Sequence, residues 1–574
     1  MAHSPGIRLN PSPAQHLSPT TRTAQAPAAA RLARTLLAVL FLNAMLSFNN
    51  WWPTPAIWPD ARVAPEFIYA WAALLIWVAV AGAPTPRALS LVALGYCLLI
   101  AGRYADVTVP ALFGRPVNLY WDSQQIPRFL WVSAKGLAWW QSAGIVLALG
   151  LLLWSLYRAV RGSLGVVVRD AVPRALASRW AIALSVAAVA AALANLGGWR
   201  ASWPYISRPV LPTFVRQAQV LTTAFVPGRI DRELPRSPAF DGGVQGLGGA
   251  DLKLVMLESY GAVVFDRAEA QYALAPARAE LERQIAASGR QVVSAFVRAA
   301  TFGGASELSH LSLLTGVDLS NPMHHDLMLT TTRPTLLGFL RERGYQTFGL
   351  YPALSWDWDE RRFYGFDRFF DARDLGYRGP RLGYWWMPDQ FALARFEQLN
   401  PIGADTPPRA VFFPSITSHL PFHPVPPYQR DWARVLEEHP FEAADLARAL
   451  QEQVDWLQMQ PAYLRMIEYN YRWVGGYLAL PRPREEVMIL VGDHQPAANV
   501  SGDGAPWDVP VHIVARDTAL LQRFVERGFR PGLTPARPVL GGMHDLTRWM
   551  LDAFDAPSQS KLAGVAATPV RVTP

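Results

Sequence analysis

Five apolar stretches, at about 33–52, 65–84, 88–106, 136–157 and 179–198, crowd the first third of the chain. Each is close to the ~20 residues that a bilayer core requires of a helix, so each predicts a membrane span. Beyond about residue 250 the pattern changes. Short apolar runs ("LKLVMLES", "YQTFGLYP", "RAVFFPSITS" and "EVMILVGDH") alternate with stretches of helical period such as 274–286 and 441–457. Continuous apolar runs of strand length, separated by helices, predict buried strands. The expected fold is therefore a bundle of five transmembrane helices followed by an α/β domain with a central, mostly parallel sheet flanked by helices.

The expected boundaries are a disordered cytoplasmic tail over 1–30, a membrane domain over 31–198, a juxtamembrane linker over 199–249, a catalytic domain over 250–560 and a tail over 561–574. The first tail is rich in Pro, Ala, Ser and Thr and has no apolar period. The first apolar stretch starts too far from Met1, and has too many successors, to be a cleaved signal peptide. Arginines orient the bundle. Arg22, Arg31 and Arg34 precede the first span, Arg87 stands in the second short loop, and Arg158, Arg161, Arg169, Arg174 and Arg179 lie between the fourth and fifth. With five spans these share one side, the cytoplasmic one, and everything after about residue 200 is delivered outside. The segment 107–134 also falls outside, and its amphipathic sequence is expected to rest on the outer leaflet.

Composition supports this division. Of 574 residues 51% are hydrophobic and 17% charged, with a mean hydropathy of +0.10, between a soluble enzyme and a pure transporter. The net charge of +8 comes from arginines beside apolar segments, so it reports topology and not a nucleic-acid partner. Several of the 22 tryptophans lie in pairs beside apolar runs, where interfacial belts form. The single cysteine, Cys97, excludes an intramolecular disulfide.

Ligands of α/β proteins bind beyond the carboxyl ends of the strands. The first strand there runs out into Glu258, the last strong one into Asp493 and His494, and "AVFFPSITS" into His419 and His423. Carboxylates and imidazoles converging on one edge suit a divalent metal such as Mn²⁺ or Zn²⁺. Singly, an Asp-His pair after a strand also serves as a cap with a surface histidine. In "ATFGGASELSHLSLLTGVDLS" two glycines lead into Ser306, and an apolar helical pattern follows. A hydroxyl at a helix N-terminus is placed to attack a phosphorus whose oxygens rest on the free amides. It is equally placed to be a plain N-cap.

These motifs together resemble the alkaline phosphatase/sulfatase superfamily, in particular its membrane branch of lipoteichoic acid synthases and lipid A phosphoethanolamine transferases. The resemblance spans roughly residues 250 to 550, and the five expected spans match the architecture of the synthases. It implies metal ligation by Glu258, Ser306, Asp493 and His494, with Ser306 as the nucleophile, nine residues before Thr315 of "LLTG". It also implies substrate binding by His419 in "TSHLPF". The Trp/Arg pair that contacts glycerophosphate in the synthases has Trp358 and Arg361, with Trp356 nearby, as counterparts of altered spacing. Packing is the other reading of those aromatics.

The chain departs from the family in three ways. Ser306-Glu307-Leu308-Ser309-His310 lacks the Pro and Arg of the sulfatase C/S-x-P-x-R motif, so formylglycine maturation and ordinary sulfatase activity are not expected. The nucleophile is Ser where the membrane transferases use Thr. One cysteine rules out the disulfides of the phosphoethanolamine transferases, and a second metal has only His419, His423 or His544 to draw on. The resemblance implies an inner-membrane transferase of bacteria whose catalytic domain lies in the periplasm or outside. It would move glycerophosphate or phosphoethanolamine from a phospholipid to an envelope glycan or lipid. A phosphodiesterase or phosphatase with water as acceptor, and a non-catalytic envelope protein that binds lipid or protein partners, are the alternatives.

Overall fold

The computed structural model describes residues 28–51, 54–113, 116–120, 122–123, 137–196, 205–225, 234–356, 358, 360–403 and 405–556. Residues 1–27 and 561–574 of the expected tails, residues 199–204 and 226–233 of the linker and half of the segment 107–134 lie outside the described residues. The chain divides into two compact units. One comprises Met1–Ser47, Ala61–Leu98 and Leu147–Pro209, and the other Phe48–Asp60, Leu99–Val146 and Val210–Pro574.

The five apolar stretches all form helices: α1 (Ala28–Ser47), α2 (Pro65–Ala81), α3 (Pro86–Phe113), α4 (Trp139–Val166) and α5 (Arg179–Leu196). Among the described residues three helical segments are long and apolar enough to cross a membrane: Ala28–Ser47, Pro86–Leu112 and Trp139–Leu176. Pro65–Ala81 and Arg179–Ala191 are apolar but shorter, so five full-length spans are not evident. The first helix also ends earlier than expected. Asn50 turns its amide onto the Thr54 carbonyl (2.6 Å), and such local side-chain bonds compete with helical ones.

Specific polar contacts tie the helices of the first unit together. Asn43 holds the entry to α2 by donating to the Arg62 carbonyl and accepting from the Ala64 amide (both 2.9 Å). Tyr96 donates to the Leu42 carbonyl (2.8 Å), and Trp71 to Ser185 Oγ (3.0 Å).

The second unit is built on an eight-stranded sheet. Its strands are β1 (Asp251–Leu257), β2 (Gln291–Arg298), β3 (Gln346–Tyr351), β4 (Arg368–Asp371), β5 (Arg409–Pro414), β6 (Glu486–Gly492), β7 (Asp508–Ala515) and β8 (Arg530–Pro531). The order is β8-β2-β7-β6-β1-β5-β3-β4. Strands β6, β1, β5, β3 and β4 pair in parallel, whereas β7 lies antiparallel between β6 and β2. Every residue of β1, β5, β6 and β7 is buried, which is why these strands read as unbroken apolar runs.

Helix α6 (Leu211–Phe225) meets the end of α3, Thr213 donating to Asp106 (2.6 Å). The helices around the sheet include α7 (Ala268–Ala287), α8 (Ser306–Thr315), α9 (Pro322–Leu329), α10 (Gln460–Leu478) and α11 (Met543–Asp555). Lys253 is the one cation inside β1. It is buried among Glu397 (2.9 Å), Glu486 (3.7 Å) and the rings of Phe396 and Tyr477.

Candidate active site

The carboxyl ends of β1, β5 and β6, and the segment that follows β2, meet at one edge of the sheet. Directly after β1 stands Glu258, and directly after β6 stand Asp493 and His494; all three are buried. Their ligand atoms lie within 4.8 Å of one another. His494 Nε2 is 3.6 Å from Glu258 Oε1 and 3.6 Å from Asp493 Oδ2. Ser306 Oγ stands 3.2 Å from the same Nε2, and its hydroxyl is also within hydrogen-bonding reach of Glu258.

The backbone is forced into this arrangement. Asp493 Oδ1 accepts from the amides of Ser259 (2.8 Å) and His494 (2.7 Å), locking the two strand exits together. Ser259 has a positive φ of 55° and donates its hydroxyl to Glu258 Oε1 (2.7 Å). A Cβ on Gly492 would run into the Tyr260 carbonyl, so only glycine allows the two turns to approach this closely. Ahead of Ser306, Gly303, Gly304 and Ala305 all have positive φ, and the Gly303 amide donates to the Gln495 carbonyl (3.1 Å). Left-handed conformation at a residue with a Cβ costs about 1–2 kcal/mol, and such strain collects at functional sites.

Electrostatics point to a cation. Burial, and then the neighbouring Asp493 carboxylate, hold Glu258 well above the usual carboxylate range, although Ser259 and Ser306 donate to it. His494 Nδ1 must carry its hydrogen, because it faces the Gln495 carbonyl (2.7 Å), which can only accept. Nε2 therefore presents a lone pair to the two carboxylates. Among the described residues no lysine or arginine pairs with Glu258 or Asp493. Two carboxylates and an imidazole lone pair, buried together, are a donor set that fits Mn²⁺ or Zn²⁺.

The other expected residues divide. His419 is brought to the site. Its Nδ1 donates to the Leu420 carbonyl (2.6 Å), its ring stacks on Tyr384 (4.6 Å, 13°), and burial pushes its pKa down to about 4. Trp358 packs instead against Tyr364 (4.9 Å), Tyr351 (5.1 Å) and Phe369 (5.8 Å), and Arg361 lies over the Phe369 ring. Neither contacts the Glu258–Asp493–His494 group. Trp356 reaches Trp385 (6.4 Å), which meets His419 edge-on (5.8 Å). His423 and His544 stand outside the three-ligand group.

Several supporting residues escaped the sequence. Asp389 accepts from the amides of Ile416 (2.8 Å) and Thr417 (2.9 Å), Ser415 Oγ accepts from the Glu258 amide (3.0 Å), and Ser418 donates to the Glu258 carbonyl (2.6 Å). Only the aromatic triplet at 384–386 gave a signal that could have been followed.

Residues 283–512 match the family model described as Sulfatase, a segment that contains Ser306, His419, Asp493 and His494 and begins after Glu258. The match likens this part of the chain to the sulfatase family, a family of enzymes. Solved structures of similar fold include a protein in the alkaline phosphatase superfamily from Vibrio parahaemolyticus, at 17% identity and a TM-score of 0.31. That match covers 49% of this chain and 62% of the other. The lipoteichoic acid synthase LtaP from Listeria monocytogenes matches at 13% identity and 0.33, over 59% and 97% of the two chains. The periplasmic domain of EptC from Escherichia coli, in complex with Zn, matches at 11% identity and 0.32, over 46% and 72%. No curated protein sequence matches the chain.

Proposed function

We propose that the protein is a metal-dependent transferase that moves a phospho-headgroup, glycerophosphate or phosphoethanolamine, from a membrane phospholipid to an envelope glycan or lipid. The observation that carries this reading is the position of Ser306. Its Oγ stands 3.2 Å from His494 Nε2, at the N-terminus of an apolar helix and beside two buried carboxylates. Glu258, Asp493 and His494, with Ser306, would hold the divalent ion, which would supply Lewis-acid stabilisation of the phosphoryl oxygens and ease loss of the Ser306 proton.

The residues of the chain do the rest. Ser306 Oγ bonds to phosphorus, the bond to the diacylglycerol oxygen breaks, and that oxygen leaves with the proton Ser306 gave up. The free amides and positive dipole end of α8 face the charge on the phosphoryl oxygens. Neutral His419, fixed by its Nδ1 bond to the Leu420 carbonyl and flanked by Tyr384 and Trp385, positions the headgroup. An acceptor hydroxyl then displaces the headgroup from Ser306, which recovers its hydrogen.

In this reading all five apolar helices span the inner membrane of a bacterium, and residues 250–560 form a catalytic domain on the periplasmic or outer side. The arginines flanking the helices give that orientation.

The test is diacylglycerol release from phosphatidylglycerol or phosphatidylethanolamine by the full chain with Mn²⁺ or Zn²⁺. Ser306→Ala should lower release by on the order of 10³-fold or more. Release undiminished by that change would refute the covalent step, and release of free headgroup without any acceptor would establish hydrolysis.

A further inference from the structure

A polar cavity lies at the edge of the sheet opposite Ser306. It encloses about 290 Å³ and is lined in part by Gln284, Ser288, Arg290, Arg482, Arg484 and Arg516. These side chains come from the end of α7, the entry to β2, the entry to β6 and the exit of β7. Glu258 and Asp493 follow the far ends of β1 and β6, so seven strand residues, roughly 23 Å, separate the two places.

The charges here do not balance. Lys253, Arg290, Arg409, Arg482, Arg484 and Arg516 meet only Asp251, Glu397, Glu485 and Glu486. Every one of those carboxylates is ion-paired with a cation other than Arg290. Arg290 is 5% exposed, and among the described residues no carboxylate lies within 4.0 Å of it. Its Nη1 donates to the Leu478 carbonyl (3.1 Å) at the end of α10, and its buried Nε has no partner. Arg482 Nε and Gln284 Oε1 are likewise buried and unpartnered. Arg516 gives Nε and Nη2 to the Ser288 carbonyl and Nη1 to Glu485 (2.8 Å).

Helix C-termini thus use some of the donors and leave others over. Arginine does not deprotonate in proteins, so a buried guanidinium without a directly paired carboxylate is costly unless an anion completes it. Burial pulls the Arg290 pKa down, and the Glu486 and Glu485 carboxylates, which lie farther off than an ion pair, oppose this only in part, with Arg516 and Arg482 adding to the fall.

We propose that this cavity binds a phosphate-bearing anion, with Arg290 and Arg516 as its principal ligands and Arg482 and Arg484 at its rim. An excess of two cations calls for a dianion, and guanidinium groups match phosphate oxygens in pairs. The phosphate is either a free ion or a lipid phosphomonoester. The site is independent of the catalytic reading, since it shares no residue with the Ser306 centre.

Calorimetric titration of the full chain in detergent tests it. The chain carries Ser306→Ala and is treated with chelator, so that the catalytic centre neither turns over nor holds metal. Inorganic pyrophosphate is one probe, and short-chain phosphatidic acid in neutral micelles is the other. One saturable site is expected for at least one probe, weakened tenfold or more by Arg290→Gln and by Arg516→Gln and unchanged by His494→Ala. Pyrophosphate binding marks a soluble phosphate, and phosphatidic acid binding alone marks a lipid. Arg516 is half-exposed (51%), so its variant guards against a folding defect in Arg290→Gln. Absence of saturable binding with both probes, or equal binding by both arginine variants and the parent, overturns the proposal.

Discussion

Ser306 Oγ and His494 Nε2 stand 3.2 Å apart, and the Nδ1 bond of His494 to the Gln495 carbonyl (2.7 Å) leaves Nε2 with its lone pair turned toward the serine. The turn that carries Ser306 is tied to the same carbonyl through the Gly303 amide (3.1 Å). One backbone oxygen therefore sets both the tautomer of the imidazole and the position of the hydroxyl.

The first consequence concerns metal. Glu258 is held above the usual carboxylate range by burial and by Asp493, so without a cation the pair is destabilising. Added Mn²⁺ or Zn²⁺ should raise the Tm, by the equivalent of about 2.7 kcal/mol at a hundredfold excess over Kd. The rise should shrink as pH falls, because Glu258 must release a proton to bind. Glu258→Gln should abolish the metal-dependent rise and leave the chelated protein no less stable than the wild type. Differential scanning calorimetry with and without chelator measures both.

The ion network beneath β1 should govern acid stability. Burial alone would raise the Glu397 pKa, but Lys253, Arg482 and Arg409 together hold it below its ordinary 4.5. A depressed carboxylate stabilises the fold above its unfolded pKa, so this contribution should be lost as pH falls below about 4.5. Lys253→Met removes one of the buried cations that Glu397 and Glu486 share with Arg482 and Arg409, and should cost about 1–3 kcal/mol at pH 7 in denaturant unfolding.

His512 gives a second, separable pH signal. Its Nδ1 donates to Ser294 Oγ (2.6 Å), whose own hydrogen goes to the Gly532 carbonyl (2.6 Å), and its Nε2 accepts from Tyr260 (3.0 Å). Burial holds its pKa down to about 3, against 6.5 when unfolded. Stability from this group is complete above 6.5 and declines as pH falls, with the unfolded chain taking the proton. The slope is about 1.4 kcal/mol per pH unit. Unfolding of His512→Gln between pH 6.5 and 4 should show a dependence about one proton shallower than the parent.

Two tryptophans separated by one residue should behave oppositely. Trp358→Ala empties an aromatic cluster with Tyr351, Tyr364 and Phe369 and should cost about 3 kcal/mol of stability. Trp356→Ala breaks the contact to Trp385, beside His419, and should raise KM for the phospholipid with a much smaller change in Tm. Steady-state kinetics together with thermal unfolding separate the two effects.

What the sequence disclosed follows from how locally each feature is encoded. Strand β1 is visible as "DLKLVML" because all of its residues are buried, and Glu258 is placed by standing at its carboxyl end. Asp493 and His494 are legible in the same way. Lys253 breaks the apolar run without breaking the strand, because its partner Glu397 comes from 144 residues away, beyond any local pattern. Trp358 and Arg361 stand in a stretch whose contacts are decided by ring packing and not by spacing. Asp389 was equally hidden, since its role depends on two amides of the turn after β5.

Intact-protein mass spectrometry of the full chain, incubated with phosphatidylglycerol or phosphatidylethanolamine and Mn²⁺ or Zn²⁺ beside Ser306→Ala, is the most direct test of covalent transfer. A phospho-headgroup adduct on the wild type alone, located on Ser306 and lost on addition of acceptor, is the expected result. Diacylglycerol release at the wild-type rate from Ser306→Ala, or an adduct on any other residue, would contradict it.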